Sequence, residues 1–216
     1  MPIHVYLELG AHRVFASAAN WPGWCRSGKN EKEALEALAA AAPRYALVTK
    51  AARVPFAFGA SSGFRVVERL AGSATTDFGA PGAIAQGDAR PLTRADTDRM
   101  ASLLAGSWAV LDRVVAQAPA ELRKGPRAGG RDRDQIVDHV LDAEDAYQRK
   151  LGLRLKRPDR KDAAAVGEYR RAILAALRAA ANGSPPVEKG WPARFAARRM
   201  AWHALDHAWE IENRTD

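Results

Sequence analysis

His203 and His207 stand four positions apart in a stretch that reads as helical from Trp191-Pro192 to about Asn213. His139 lies near the start of an earlier stretch of the same kind. Imidazoles at i and i+4 share one side of a helix, about 6 Å apart along its axis. A third ligand from another element then closes three corners of a tetrahedron and leaves the fourth for water or substrate, the usual imidazole face of a divalent metal site. Position 204 is alanine, so this is not the HExxH arrangement of metalloproteases, which needs a glutamate there. Glu210, one turn beyond His207, is placed to accept a hydrogen bond from a ligand imidazole and fix its orientation.

Three histidines on two elements need a scaffold that holds the elements side by side. From Thr93 onward the apolar residues recur at helical spacing. A first helix opens at Thr93, with Asp96 as its capping partner, carries Met100, Leu103, Leu104, Trp108, Leu111 and Val115 on one stripe, and ends before Pro119. A second begins near Asp132 with Gln135 as capping partner and runs through Ile136, Val140, Glu144 and Tyr147 to Gly152. A third spans about Asp162 to Ala181 and stops at Asn182-Gly183, and the fourth carries the histidine pair. Four long helices with short links predict a bundle. On the last helix the histidines fall beside Ala196, Met200 and Glu210, with Trp202, Leu205 and Trp209 on another side. His139 sits at the edge of its stripe next to Ala143 and Ala146, whose small side chains leave space for a cavity. Trp202 and Trp209 are expected to pack, against the N-terminal part of the chain.

The first 70 residues read differently. Ile3 to Leu9 alternates, Gly10-Ala11 offers a turn and His12 to Ala18 continues extended, together a β-hairpin. After Trp21-Pro22-Gly23-Trp24, Asn30 and Glu33 cap a helix that Pro43 bounds, and Phe64 to Leu70 supplies a further strand. The expected fold class is therefore α+β: a small β-β-α-β unit over residues 1–70, a connecting segment over 71–92, and an all-α four-helix bundle over 93–216.

Composition narrows the function classes. The 216 residues are 47% hydrophobic, as in a globular protein. No apolar run approaches the roughly 18 residues of a membrane span, and Met1 to Gly10, bearing Glu8, does not read as a signal peptide. One cysteine, Cys25, excludes an internal disulfide and fits a reducing compartment, so the expected location is cytoplasmic with no membrane partner. The net charge of +8 favours anionic partners but comes from arginines spread over helix surfaces rather than one block, so nucleic-acid binding is not indicated. A small-molecule substrate is expected, and a homodimer is left open.

The stretch Gly130-Arg131-Asp132-Arg133-Asp134-Gln135-Ile136-Val137-Asp138-His139-Val140-Leu141-Asp142-Ala143-Glu144 resembles the second-helix signature of the DinB-like family, and Trp202-His203-Ala204-Leu205-Asp206-His207 is similar to its last-helix HxxxH element. The resemblance covers about residues 93 to 213. It implies a four-helix bundle with a divalent metal, zinc or nickel, on His139, His203 and His207. It also implies relatives that include thiol-dependent transferases and the mycothiol-dependent maleylpyruvate isomerase, in which a low-molecular-weight thiol is activated near the metal. A metal that lowers the pKa of a thiol or water makes a nucleophile at neutral pH. Fold alone does not fix the reaction, and no catalytic residue is assigned.

Trp21 to Leu35, reading Trp21-Pro22-Gly23-Trp24-Cys25-Arg26-Ser27-Gly28-Lys29-Asn30-Glu31-Lys32-Glu33-Ala34-Leu35, is similar to the turn and helix start of HicB-like β-β-α-β modules of antitoxins. No DNA-binding tail follows it, so an accessory or substrate-gating role is expected. The loop Lys124 to Arg131 carries Arg127 and Arg131 beside a helix N-terminus, where they could hold a carboxylate or phosphate, although a solvated connecting loop explains its glycines as well. The expected function is a metal-dependent transferase or isomerase. The competing reading is a non-catalytic protein whose HicB-like module contacts a partner protein or RNA, with a structural or sensing metal in the bundle.

Overall fold

The computed structural model describes residues 2–59, 63–125, 129–180 and 182–215. Among them the chain is a mixed α/β molecule with a four-stranded sheet and seven α-helices. The strands are β1 (Ile3–Leu9), β2 (Val14–Ala18), β3 (Cys25–Gly28) and β4 (Phe64–Ala71), in the order β3-β2-β1-β4. β1 pairs antiparallel with β2 and parallel with β4, so the chain between β3 and β4 crosses the sheet. Helices α1 (Glu31–Ala40) and α2 (Ala42–Ala51) make that crossing.

The unit is richer than β-β-α-β by one strand and one helix. β3 reads Cys-Arg-Ser-Gly, too short and polar to show alternation, and forms because the turn before it returns the chain onto β2. Gly23 makes that turn with φ +89, a conformation that L side chains rarely adopt, and a Cβ there would stand 2.6 Å from Leu205 Cδ1. Asn30 caps α1 as expected, its side chain accepting from the Glu33 amide at 2.9 Å. Pro43, expected to bound that helix, instead sits in the first turn of α2, where no intrahelical donor is lost.

Residues 71–92 form a strap rather than a bare connection. It holds α3 (Ala74–Phe78), capped by Ser73, and a 3₁₀ turn over Gln86–Ala89. Two carboxylates pin it. Buried Glu8 of β1 accepts from the amides of Gly82 at 2.9 Å and Ala83 at 2.9 Å and from the Thr76 hydroxyl. Buried Asp88 meets the Arg198 guanidinium, with Nη2 at 2.6 Å, and Arg198 Nε donates to the Tyr6 hydroxyl at 3.0 Å.

The helices that follow are α4 (Arg94–Gln117), α5 (Arg133–Lys150), α6 (Ala163–Ala179) and α7 (Ala193–Asn213). Their starts obey the sequence signals. Thr93 Oγ1 accepts from the Asp96 amide at 3.1 Å, the Asp132 amide donates to Gln135 Oε1 at 2.9 Å, and Asp162 Oδ1 accepts from the Ala165 amide at 2.9 Å. The end expected near Ala181 lies outside the described residues, and α6 closes at Ala179.

α7 is the central element. Its side chains are buried nearly all round, including Ala197, Ala201, Ala204 and Ala208, whose small size lets neighbours approach closely. One side meets the sheet, where Trp202 packs edge-on against Phe15 with ring centroids 6.1 Å apart and Trp209 lies under Arg26 at 4.0 Å. The expected packing of both tryptophans on the N-terminal part is thus present. The opposite face of the sheet covers an aromatic cluster, in which Trp24 stacks on Tyr45 at 5.4 Å and meets Phe56, Phe58 and Phe64. A single group of buried side chains runs from Val5 and Leu7 through Trp24 and Leu104 to Ile173 and Leu177. No helix among the described residues is long and apolar enough to cross a membrane.

Candidate metal centre

α5 and α7 lie side by side, and their facing stripes bring the three histidines together. The ring centroids of His139 and His203 are 5.1 Å apart, those of His139 and His207 4.9 Å, and those of His203 and His207 4.6 Å. One ring nitrogen from each lies within 4.8 Å of the others, a grouping that could hold a metal ion. Imidazole nitrogens at about 2 Å from one tetrahedral ion stand about 3.3 Å from each other, so an adjustment of about 1.5 Å closes the rings on one cation. His203 is buried, while His139 and His207 are half-buried; one and two turns along α5, Ala143 is half-buried and Ala146 exposed.

The protonation states suit ligation. Burial, followed by the neighbouring His207 and His139 and the charges of Arg199 and Arg131, pushes the His203 imidazole down to about 2. His139 is lowered from its ordinary value by burial, by His207 and by Arg131. Both rings are therefore neutral at physiological pH and each carries a free lone pair, the form a cation needs. Nδ1 of His203 is buried with no hydrogen-bond partner. A buried polar atom left unpaired costs free energy, and coordination would relieve it.

His207 is oriented from behind. Its Nδ1 stands 2.8 Å from Glu210 Oε2, and because the carboxylate can only accept, Nδ1 carries the proton and Nε2 the lone pair. Glu210 is held below its ordinary value first by that bond and also by Arg214, whose Nη1 donates to Oε1 at 2.8 Å. The chain Arg214-Glu210-His207 is the carboxylate–histidine pairing that raises the basicity of a ligand imidazole.

Of the two loop arginines singled out from the sequence, Arg127 lies outside the described residues. Arg131 is exposed, just ahead of α5, and near enough for its charge to depress His139 and His203. Two flanking residues escaped the sequence reading. Tyr147, two turns beyond His139, brings its ring to 5.8 Å from that of His203. Arg199, one turn before His203, lies 5.6 Å from the Tyr147 ring and 4.7 Å from the Trp202 ring. Their signal was the stripe itself: 139, 143, 147 on α5 and 199, 203, 207 on α7 are each spaced by one turn.

Glu144, on the same helix as His139, serves the core instead. It is fully buried, accepts from Trp108 Nε1 at 2.6 Å, and faces Arg170 Nε at 3.9 Å. Cys25 is also buried, beside the Ser17 hydroxyl at 3.0 Å, and burial pushes its thiol up to about 12, so it is not a nucleophile. No family model matches the chain, and no curated protein or solved structure matches it.

Proposed function

We propose that the chain is a metal-dependent enzyme of the DinB-like kind, which uses a divalent cation on His139, His203 and His207 to activate a small thiol or water in a transfer or isomerisation reaction. The observation that carries the reading is the convergence of three imidazoles, from two helices, with ligand atoms within 4.8 Å of one another. The donor set suits zinc or nickel, since neutral imidazole binds borderline divalent ions. A cation bound there would supply Lewis acidity that brings the pKa of a thiol or water toward neutrality.

This chain's own residues do the rest. Burial keeps His203 unprotonated, so protons do not compete for its lone pair. Glu210 fixes the tautomer of His207, and Arg214 holds Glu210 ionised. Ala143 and Ala146, one and two turns beyond His139, put only methyl groups on that side of α5. The β-rich unit lies against α7 through Phe15 and Trp202, and supports the helix that carries two of the three histidines. The HicB-like resemblance is then that of an accessory unit.

The test is an assay of zinc- and nickel-loaded protein for conjugation or isomerisation of small electrophiles with a panel of low-molecular-weight thiols. Turnover that a chelator abolishes and that His207→Ala lacks is expected. Absence of turnover with every thiol and with water, from protein shown to be loaded, contradicts the enzymatic part of the reading.

A further inference from the structure

The face of α7 that bears the histidines also bears a guanidinium with no counter-charge. Arg194 and Arg198 on the same helix meet Asp96 and Asp88, and Arg214 meets Glu210. Arg199 has no carboxylate within 4 Å among the described residues; its one hydrogen bond there is from Nη1 to the Pro81 carbonyl of the strap, at 2.9 Å. Its guanidinium carbon lies 4.7 Å from the Trp202 ring and 5.6 Å from the Tyr147 ring, so the side chain is positioned without being neutralised. It is only partly buried.

Arg199 and His203 are one turn apart, about 6 Å along the helix axis, and Tyr147 faces both across the groove. An unpaired, pre-oriented guanidinium is the usual recognition group for a carboxylate, which it can bind through two parallel N–H donors. We propose that Arg199, with the Tyr147 ring as a wall, forms an anion subsite that selects substrates or thiols bearing a carboxylate about one helical turn from the atom that reaches the histidine cluster. The inference rests on the three-histidine metal reading and names the substrate class of that same site. It moves the anion-holding role from the loop ahead of α5 to α7.

Cobalt-loaded wild-type protein provides the test, because thiolate binding to cobalt(II) gives a visible charge-transfer band that is read without turnover. The probes are 2-mercaptoethanol, which has no carboxylate, and thioglycolate, 3-mercaptopropionate and 4-mercaptobutyrate, which carry one at increasing distance. A carboxylate thiol binding about 10-fold more tightly than 2-mercaptoethanol is expected, with a preference among the three lengths. In Arg199→Gln the preference should fall to within about 2-fold while cobalt content is unchanged, and Arg199→Lys should restore part of it without the length preference. Equal binding of charged and uncharged thiols by the wild type overturns the subsite and leaves the metal reading standing. So does a preference that survives in Arg199→Gln, and this outcome would assign Arg199 to bracing the strap. Failure to bind cobalt at all overturns both.

Discussion

At the scale of single residues, the site is a set of groups kept in the state their work requires. His203 is neutral because it is buried, and His207 presents Nε2 because its Nδ1–H is donated in a hydrogen bond to Glu210. Glu210→Gln keeps an acceptor near Nδ1 but removes the charge, so divalent metal affinity is expected to fall about 10- to 100-fold with the fold intact. Competition with a chromophoric chelator measures it. Glu144 tests the same reasoning away from the histidine cluster. Burial, opposed by Arg170 and the Trp108 hydrogen bond, raises its carboxyl from 4.5 to about 6. A raised folded-state pKa means that the native protein holds the proton more tightly than the unfolded chain. The associated stability is present below about pH 4.5 and lost as pH rises through about 6. Between those limits the loss is about 2 kcal/mol at most. Glu144→Gln should remove this slope and be the more stable protein at pH 7.5, as urea unfolding at pH 4.5, 6 and 7.5 would show; an unchanged slope would contradict the assignment.

At the scale of elements, what positions the histidines is the close seating of α7 and α4 among their neighbours. Gly106 of α4 shows how tight this is: a Cβ there would lie 2.5 Å from the Val48 carbonyl of α2. Gly106→Ala is therefore expected to cost about 1–3 kcal/mol, because backbone rather than a flexible side chain must move. Thermal unfolding checks it, and a melting temperature equal to wild type would mean that α2 is not seated on α4. The long helices were legible because Thr93, Asp132 and Asp162 are strong start signals ahead of regular apolar stripes. The histidine trio was legible for the same reason, since fixing two stripes fixes which residues can face each other. β3 was not, because Cys25–Gly28 has neither alternation nor bulk, and its pairing with β2 is a tertiary fact. α2 was hidden by Pro43, which in sequence reads as a stop and in the fold is a start. Arg199 was overlooked because an arginine on a helix in a chain with 33 basic residues carries no local mark. Only the carboxylates opposite its neighbours set it apart.

At the scale of the whole molecule, one group of buried side chains joins the sheet, α1 and α2 to helices α4–α7, and a smaller one of Phe15, Cys25 and Trp202, with Ala80 of the strap packed on it, lies between β2, β3 and α7. The strap's Asp88 joins it to α7 through an almost fully buried ion pair with Arg198. Removing one partner strands a charge, so Asp88→Ala should cost about 3–5 kcal/mol. Because the main group spans sheet and helices, the loss should lower a single unfolding transition seen alike by tryptophan fluorescence, whose reporters lie in both parts, and by far-ultraviolet circular dichroism, which the helices dominate. Two separated transitions would mean that the β-rich unit is merely appended. The site depends on that continuity, since the helix carrying His203 and His207 is also the one the sheet rests upon. The central claim is that this helix and α5 hold one divalent cation between them. Metal analysis of protein purified without an affinity tag tests it most directly: one zinc or nickel ion per chain is expected in the wild type, with loss in His139→Ala, His203→Ala and His207→Ala alike. No metal in the wild type, or the same metal content in His203→Ala, would contradict it.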